Sequence, residues 1–130
     1  MIYFISGPLD LTQEEFNMHY LPSIDKAIEE GASFVIGDAN GCDFLAQLYL
    51  SNKDTKFTVY HMFDKPRHCL SEDKKGGFES DEERDSQMTK NSQADILYIR
   101  TPEDMKKRLG KKYKPNYING TMKNKLRRFN

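Results

Sequence analysis

No apolar run in this sequence approaches the ~18 residues that a membrane-spanning helix requires, so a helical membrane span is excluded. Only two cysteines occur, Cys42 and Cys69. Their spacing makes neither a disulfide framework nor a metal motif, and a reducing, cytoplasmic location is the expectation. His19, His61 and His68 do not fall at metal-ligand spacing, so no metal is expected. A Gly-Lys-Ser/Thr tripeptide is missing, which excludes a Walker-type phosphate loop; no cofactor is expected. The start, Met1-Ile2-Tyr3-Phe4-Ile5, has no basic region before its apolar residues, which argues against a signal peptide. Internal repeats and low-complexity segments are also missing.

What is present fits one domain over residues 1–130, within the usual single-domain size. The net charge of zero conceals an asymmetry. Residues 1–50 carry one basic residue, Lys26, against eight acidic ones, whereas residues 101–130 carry ten basic residues against Glu103 and Asp104. A basic segment over 111–130 can be a nucleic-acid face, a cover for an acidic or phosphate-bearing site, or a solvated surface.

The most informative stretch is Val35-Ile36-Gly37-Asp38-Ala39-Asn40-Gly41-Cys42-Asp43-Phe44-Leu45-Ala46-Gln47-Leu48. An apolar strand over 33–37 stops at Gly37-Asp38, a turn follows at Asn40-Gly41, and a helix opens near Asp43. Strand, glycine turn and helix can place a ligand against free N–H groups at a helix N-terminus. The same glycines also suit an ordinary tight βα connection.

Around this unit the chain alternates strands and helices. Residues 2–6 read as a strand ending at Gly7-Pro8. Thr12 with Glu15 forms a capping box for a helix that Pro22 kinks or restarts near Leu21 and Gly31 stops. Residues 57–62 are β-branched and aromatic, hence a strand. Residues 63–78 are polar, with Pro66 and Gly76-Gly77, and read as a long loop of the kind that is functional or disordered. Ser80 and Glu83 predict a second capping box, opening a helix over 81–90 whose one apolar residue is Met88. Such a helix is a solvated turn or a lid facing a polar ligand. Residues 94–99 form the next strand, and Thr101-Pro102 starts a helix that closes on Lys106, Lys107 and Arg108. A loop over 111–119 leads to Gly120-Thr121 and a short basic helix. The fold class is α/β, a single Rossmann-like three-layer domain with a mostly parallel central sheet.

Several of these pieces resemble the SLOG group of Rossmann-like domains, which includes LOG-type and DprA-like proteins. The matching residues are Ile5-Ser6-Gly7, Gly37 to Asp43 with Leu45-Ala46, Glu83-Arg84-Asp85 with Met88-Thr89, and Gly120-Thr121 with Asn124 and Arg127-Arg128. The resemblance implies binding of a nucleotide or nucleotide-derived ligand, and for some members cleavage of the N-glycosidic bond of a nucleoside monophosphate. It also implies homo-oligomers, and for DprA-like members binding of single-stranded nucleic acid. LOG-type hydrolases carry a double-glycine loop followed by Thr and a catalytic Glu. Here only Gly120-Thr121 stands, with Asn124 and no Glu in the final helix, which counts against LOG-type hydrolysis.

The loops at the carboxyl ends of a parallel sheet are where a ligand is expected. Ser6 can donate to a phosphate or ribose oxygen, and Gly7, Gly37 and Gly41 allow close backbone approach. Asp38 and Asp43 can accept from sugar hydroxyls, although Asp43 also suits a helix cap. Gly120, Thr121 and the last helix's N–H groups can hold a phosphate with Arg127 or Arg128, which can equally be solvated. Glycosidic cleavage needs a carboxylate near the anomeric carbon. Glu83 and Asp85, flanking Arg84, are the candidates, with Asp38 third; two residues apart on a helix, Glu83 and Asp85 diverge.

Overall fold

The computed structural model describes residues 1–129. Five strands, β1 (Ile2–Ser6), β2 (Ser33–Gly37), β3 (Phe57–Met62), β4 (Lys74–Phe78) and β5 (Ala94–Leu97), form one all-parallel sheet in the order β4-β3-β2-β1-β5. The helices are α1 (Gln13–His19), α2 (Leu21–Glu29), α3 (Cys42–Asn52), α4 (Asp81–Lys90), α5 (Pro102–Leu109) and α6 (Gly120–Arg128). The α/β, three-layer Rossmann-like reading of the sequence is thus what the chain adopts.

Alternation along the strands sends side chains to both faces. Ile5, Ile36 and Val59 pack with Phe16, Tyr20, Ile24, Cys42, Ala46 and Leu50 of the first three helices and their junctions. Their neighbours Phe4, Val35 and Tyr60 face the other way and close over Met88 of α4. A parallel sheet must be covered on both faces, and this double apolar requirement explains why strands β1 to β3 are almost continuously hydrophobic.

Local signals act as the residue types dictate. Thr12 and Glu15 form the full reciprocal box at α1. Pro22 lies in the first turn of a second helix that starts at Leu21, the one place in a helix where proline loses no hydrogen bond. At α4, the Ser80 hydroxyl accepts from Glu83 N–H at 3.1 Å, but the Glu83 carboxylate accepts from Glu79 N–H, one residue before the box position.

Two differences from the sequence reading have physical reasons. The 63–78 segment is not all loop, because β4 adds to the sheet there. As an exposed edge strand, Lys-Lys-Gly-Gly-Phe needs no apolar alternation, and Gly76 is required because a Cβ would enter the His61 ring. Strand β5 stops at Leu97 rather than running to 99. With Ser6 opposite Leu97, the next bond of a parallel ladder would run from Tyr98 N–H to Ser6 C=O. The buried Tyr20 hydroxyl stands between them, donating to Ser6 C=O at 2.7 Å and accepting from Tyr98 N–H at 3.0 Å.

Chain direction across the sheet reverses at β1, so the carboxyl ends of β1 and β5 flank the topological switch point, where open α/β sheets leave a crevice. Replacing Tyr20 by Phe removes both of these bonds and leaves two backbone groups unsatisfied. A loss of about 1–3 kcal/mol is expected, read as a lower midpoint in thermal or urea unfolding.

Candidate functional site

A cavity of about 400 Å³ opens at the carboxyl ends of the strands, within the ~300–1,000 Å³ typical of small-molecule sites. Its walls come from distant parts of the chain. The β1 end supplies Ser6, Gly7 and Asp10, and the turn after β2 supplies Gly37, Ala39 and Asp43. Helix α4 contributes Asp81, Arg84, Asp85 and Met88, while Met105, Arg108 and Leu109 come from α5. The final segment adds Tyr117, Asn119, Gly120, Thr121 and Asn124.

One wall is built on Asp38. Its side chain is 1% exposed, a costly position for a carboxylate unless it is paired. Arg67 donates its backbone N–H to Oδ2 (2.9 Å) and its guanidinium Nη2 to Oδ1 (3.0 Å), and Arg84 Nη1 donates to the same Oδ1 at 3.0 Å. Burial alone would raise the Asp38 carboxyl, but the Arg67 hydrogen bonds and both arginine charges outweigh it and hold the group below its ordinary range. Arg84, itself buried, turns its remaining N–H groups to Asp85 (Nε, 3.1 Å) and Asp81 (Nη2, 3.3 Å). The guanidinium therefore ties helix α4 to the turn after β2.

Asp43 sits beside this network without joining it. Its carboxyl accepts from Ala39 N–H at 3.1 Å, and among the described residues no arginine or lysine lies within ion-pair distance of it. It does not cap α3, whose cap position is Gly41. Burial pushes its carboxyl up to about 7, against the pull of Arg84 and the Ala39 N–H, with Asp85 and Asp38 reinforcing the rise. Gly37 is obligatory here, because a Cβ would stand 2.6 Å from Asp43 Oδ2 and 3.3 Å from the Arg84 guanidinium carbon.

Other glycines act through packing. A Cβ at Gly7 would enter the Tyr20 hydroxyl and the Cys42 sulfur, and Gly41, at φ +71°, lies against the carbonyls of Pro8 and Leu9. Gly120 differs, since nothing stands within 4 Å of its Cβ position. It opens α6, where Asn119 accepts from Met122 N–H at 2.9 Å, so the N–H groups of Gly120 and Thr121 face forward without a side-chain cap. Asn124, buried on the same helix, accepts from Arg127.

A second charged group, of which Asp10, Arg100 and Arg108 line the cavity, stands on its wall. Arg100, nearly buried, meets Asp10 at 2.6 Å and Glu15 at 3.2 Å, and Arg108 meets Asp104 at 2.9 Å and Asp10 at 3.3 Å. Burial works against the charge of Asp10 and Glu15, but the Arg100 bonds prevail and hold both below their ordinary range. Every arginine on the cavity wall is thus already engaged with carboxylates. The unspent polar group is Ser6 Oγ, buried and, alone among the buried side-chain polar atoms of the described residues, without a hydrogen-bond partner.

Of the residues singled out from sequence, Ser6, Gly7, Gly37, Asp43, Arg84, Asp85, Gly120 and Thr121 line this cavity. Asp38 lies behind the wall with its oxygens taken by arginines, and Gly41 lies in the turn beneath it. Glu83 is exposed at the α4 cap and off the cavity wall. Arg127 and Arg128 are drawn into the fold, the former on Asn124 and the latter on Asp95 at 2.7 Å. Sequence reasoning missed Arg67, Arg100, Arg108 and Asp10. Arg67 lies in an apparently featureless polar loop, and the other three come together only through pairings across about ninety residues. Among the described residues, no group of three or more His, Cys, Asp or Glu side chains is placed to hold a metal ion, and no helix is long and apolar enough to cross a membrane. Compared with family models, with curated proteins and with solved structures, the chain matches none.

The raised Asp43 carboxyl carries a pH signature. Between an unfolded value near 3.8 and a folded value of about 7, the folded state binds more protons than the unfolded one. Asp43 therefore costs stability progressively as pH rises through that window. Replacing it with Asn preserves an acceptor for Ala39 N–H and removes the titration. The stability of Asp43→Asn relative to the parent is expected to grow by more than about 1 kcal/mol from pH 5 to pH 8, measured by urea unfolding at each pH; a constant difference would contradict the burial argument.

Proposed function

We propose that this chain binds a nucleotide or nucleotide-derived ligand in the cavity at the carboxyl ends of its strands. One observation carries the reading: a cavity of small-molecule size joins the unspent Ser6 hydroxyl to the open N–H groups of Gly120 and Thr121. A phosphate suits the start of α6, since helix N-termini favour anions. Phe4, Met88, Met105, Leu109 and Tyr117 provide the apolar surface on which a base can rest. The resemblance of Gly37 to Asp43, and of Arg84-Asp85 with Met88-Thr89, to SLOG domains supports the same reading.

A hydrolytic role, cleavage of the N-glycosidic bond of a nucleoside monophosphate, is the second reading. Its support is that Asp85 and Asp43 stand on the cavity wall, where a carboxylate could stabilise an oxocarbenium-like state. Glu83, pointing to the α4 cap, is not the residue to carry it. Binding of single-stranded nucleic acid through the basic end is weakened as a reading, because Arg127 and Arg128 are engaged within the fold.

The test is a thermal-shift screen against nucleoside mono-, di- and cyclic phosphates, with chromatography for released base on every hit. Binding raises the unfolding midpoint by mass action; free base would establish the hydrolase, and no shift with any compound would reject the nucleotide site. A Ser6→Ala variant sharpens the outcome. Removing an unsatisfied buried hydroxyl is expected to stabilise the ligand-free protein by about 1 kcal/mol while weakening ligand binding roughly tenfold.

A further inference from the structure

The Asp38 wall holds more carboxylates than cations. Asp38, Asp43, Asp81 and Asp85 surround two guanidinium groups, Arg67 and Arg84. Arg84 spends its N–H groups on Asp38, Asp81 and Asp85, and Arg67 spends its own on Asp38, with Asp81 at 3.8 Å. Asp43 is the carboxyl left over. It is buried, it lines the cavity, and a single backbone N–H is its hydrogen-bond donor. Ser6, whose buried Oγ has no hydrogen-bond partner, lines the same cavity and is independent of this charge count.

A carboxyl in this position is cheapest as the neutral acid, because desolvation disfavours the charged form and Arg84, bonded to three other carboxylates, offsets it only in part. We propose that Asp43 is the specificity-determining hydrogen-bond donor of the cavity, keeping its proton in the complex and donating it to a ring nitrogen or carbonyl oxygen of the ligand's base. This rests on the nucleotide reading above and assigns the base end of that ligand. A phosphate is repelled by Asp81 and Asp85, whereas Phe4 and Met88 give the cavity the dry, apolar surface that a base prefers. Ligand occupancy excludes water and favours the neutral acid further. The groups acting on Asp43 are Arg84 and Asp85 from α4, Asp38 from the β2 turn, Arg67 from the segment after β3, Tyr20 from the α1–α2 junction, and its chain neighbour Cys42. Tyr20 and Cys42 are held neutral by burial, so the balance lies among the arginines and acids, and the Asp43 carboxyl is pushed up to about 7.

Two measurements test this. The first needs no ligand: the side-chain carboxyl carbon of Asp43, assigned with Asp43→Asn, is followed by NMR against pH in the parent protein. A midpoint near 7 is expected, and one near the ordinary aspartate value of about 4 overturns the proposal. The second is isothermal titration with AMP, GMP, CMP and UMP between pH 7.5 and 9, above the phosphate's own ionisation near pH 6. Affinity is expected to fall about tenfold per pH unit, with proton uptake seen as a buffer-dependent heat. Asp43→Asn, a permanent donor, should lose that pH dependence and keep affinity within about threefold of the parent's at pH 7.5, against the roughly tenfold effect of losing a buried donor. A compound that binds with flat or rising affinity over this range overturns the Asp43 assignment alone. If none of the four binds, the titration is repeated with the nucleoside di- and cyclic phosphates of the screen, and if none of those binds either, the nucleotide reading fails and takes the assignment with it.

Discussion

The Asp38 carboxylate is the point on which the working end of this fold depends. Strand β2, at the centre of the sheet, delivers it to the carboxyl end, where it is almost fully buried, and a bare charge there would be prohibitive. Two arginines from different segments, Arg67 and Arg84, resolve that cost. In doing so they fix the segment after β3 and the first turns of α4 relative to β2. Helix α4 has no apolar stripe, since Met88 is its one large apolar side chain in the core, and polar ties from Arg128 to Thr89 and from its cap residue Asn91 to Tyr60 hold its far end. A highly polar helix can therefore lie on the sheet because a buried ion pair replaces the usual apolar stripe. Removing one partner of such a pair costs more than never having had it, so the network is a constraint on sequence as much as a source of order.

That arrangement leaves a cavity whose arginines are all occupied. The polar groups on its wall that the arginines leave unpaired are a serine hydroxyl, two backbone N–H groups at the start of α6, and one carboxyl without an ion pair. Charge complementarity is consumed in building the walls.

Much of this was legible in the sequence where local chemistry and global demand agree. The apolar runs at 2–6 and 33–37, the β-branched and aromatic residues of 57–62, the Thr12 and Thr101 caps, and Pro22 at a helix start each act within a few residues, and each appears where its residue type places it. Strand β4 was not legible, because an exposed edge strand bears no apolar pattern and its glycine answers to a histidine on the neighbouring strand. The site divides the same way. Ser6, Gly37, Asp43 and Thr121 could be read from position at strand ends and helix starts. The roles of Asp38 and Glu83 could not, because what separates a buried, doubly paired carboxylate from an exposed capping one is tertiary placement. Arg67 and Arg100 are of that kind too, ordinary surface residues until their partners arrive from elsewhere in the chain.

The Tyr20 hydroxyl has a mechanical consequence. By standing in a ladder bond that Ser6 and Tyr98 would otherwise share, it acts as a shim between the first and last strands. The gap at the head of the sheet is set by the dimensions of a phenol anchored in the core. The head of the sheet is thus spaced by a rigid ring anchored in the core rather than by a direct bond between the two strands.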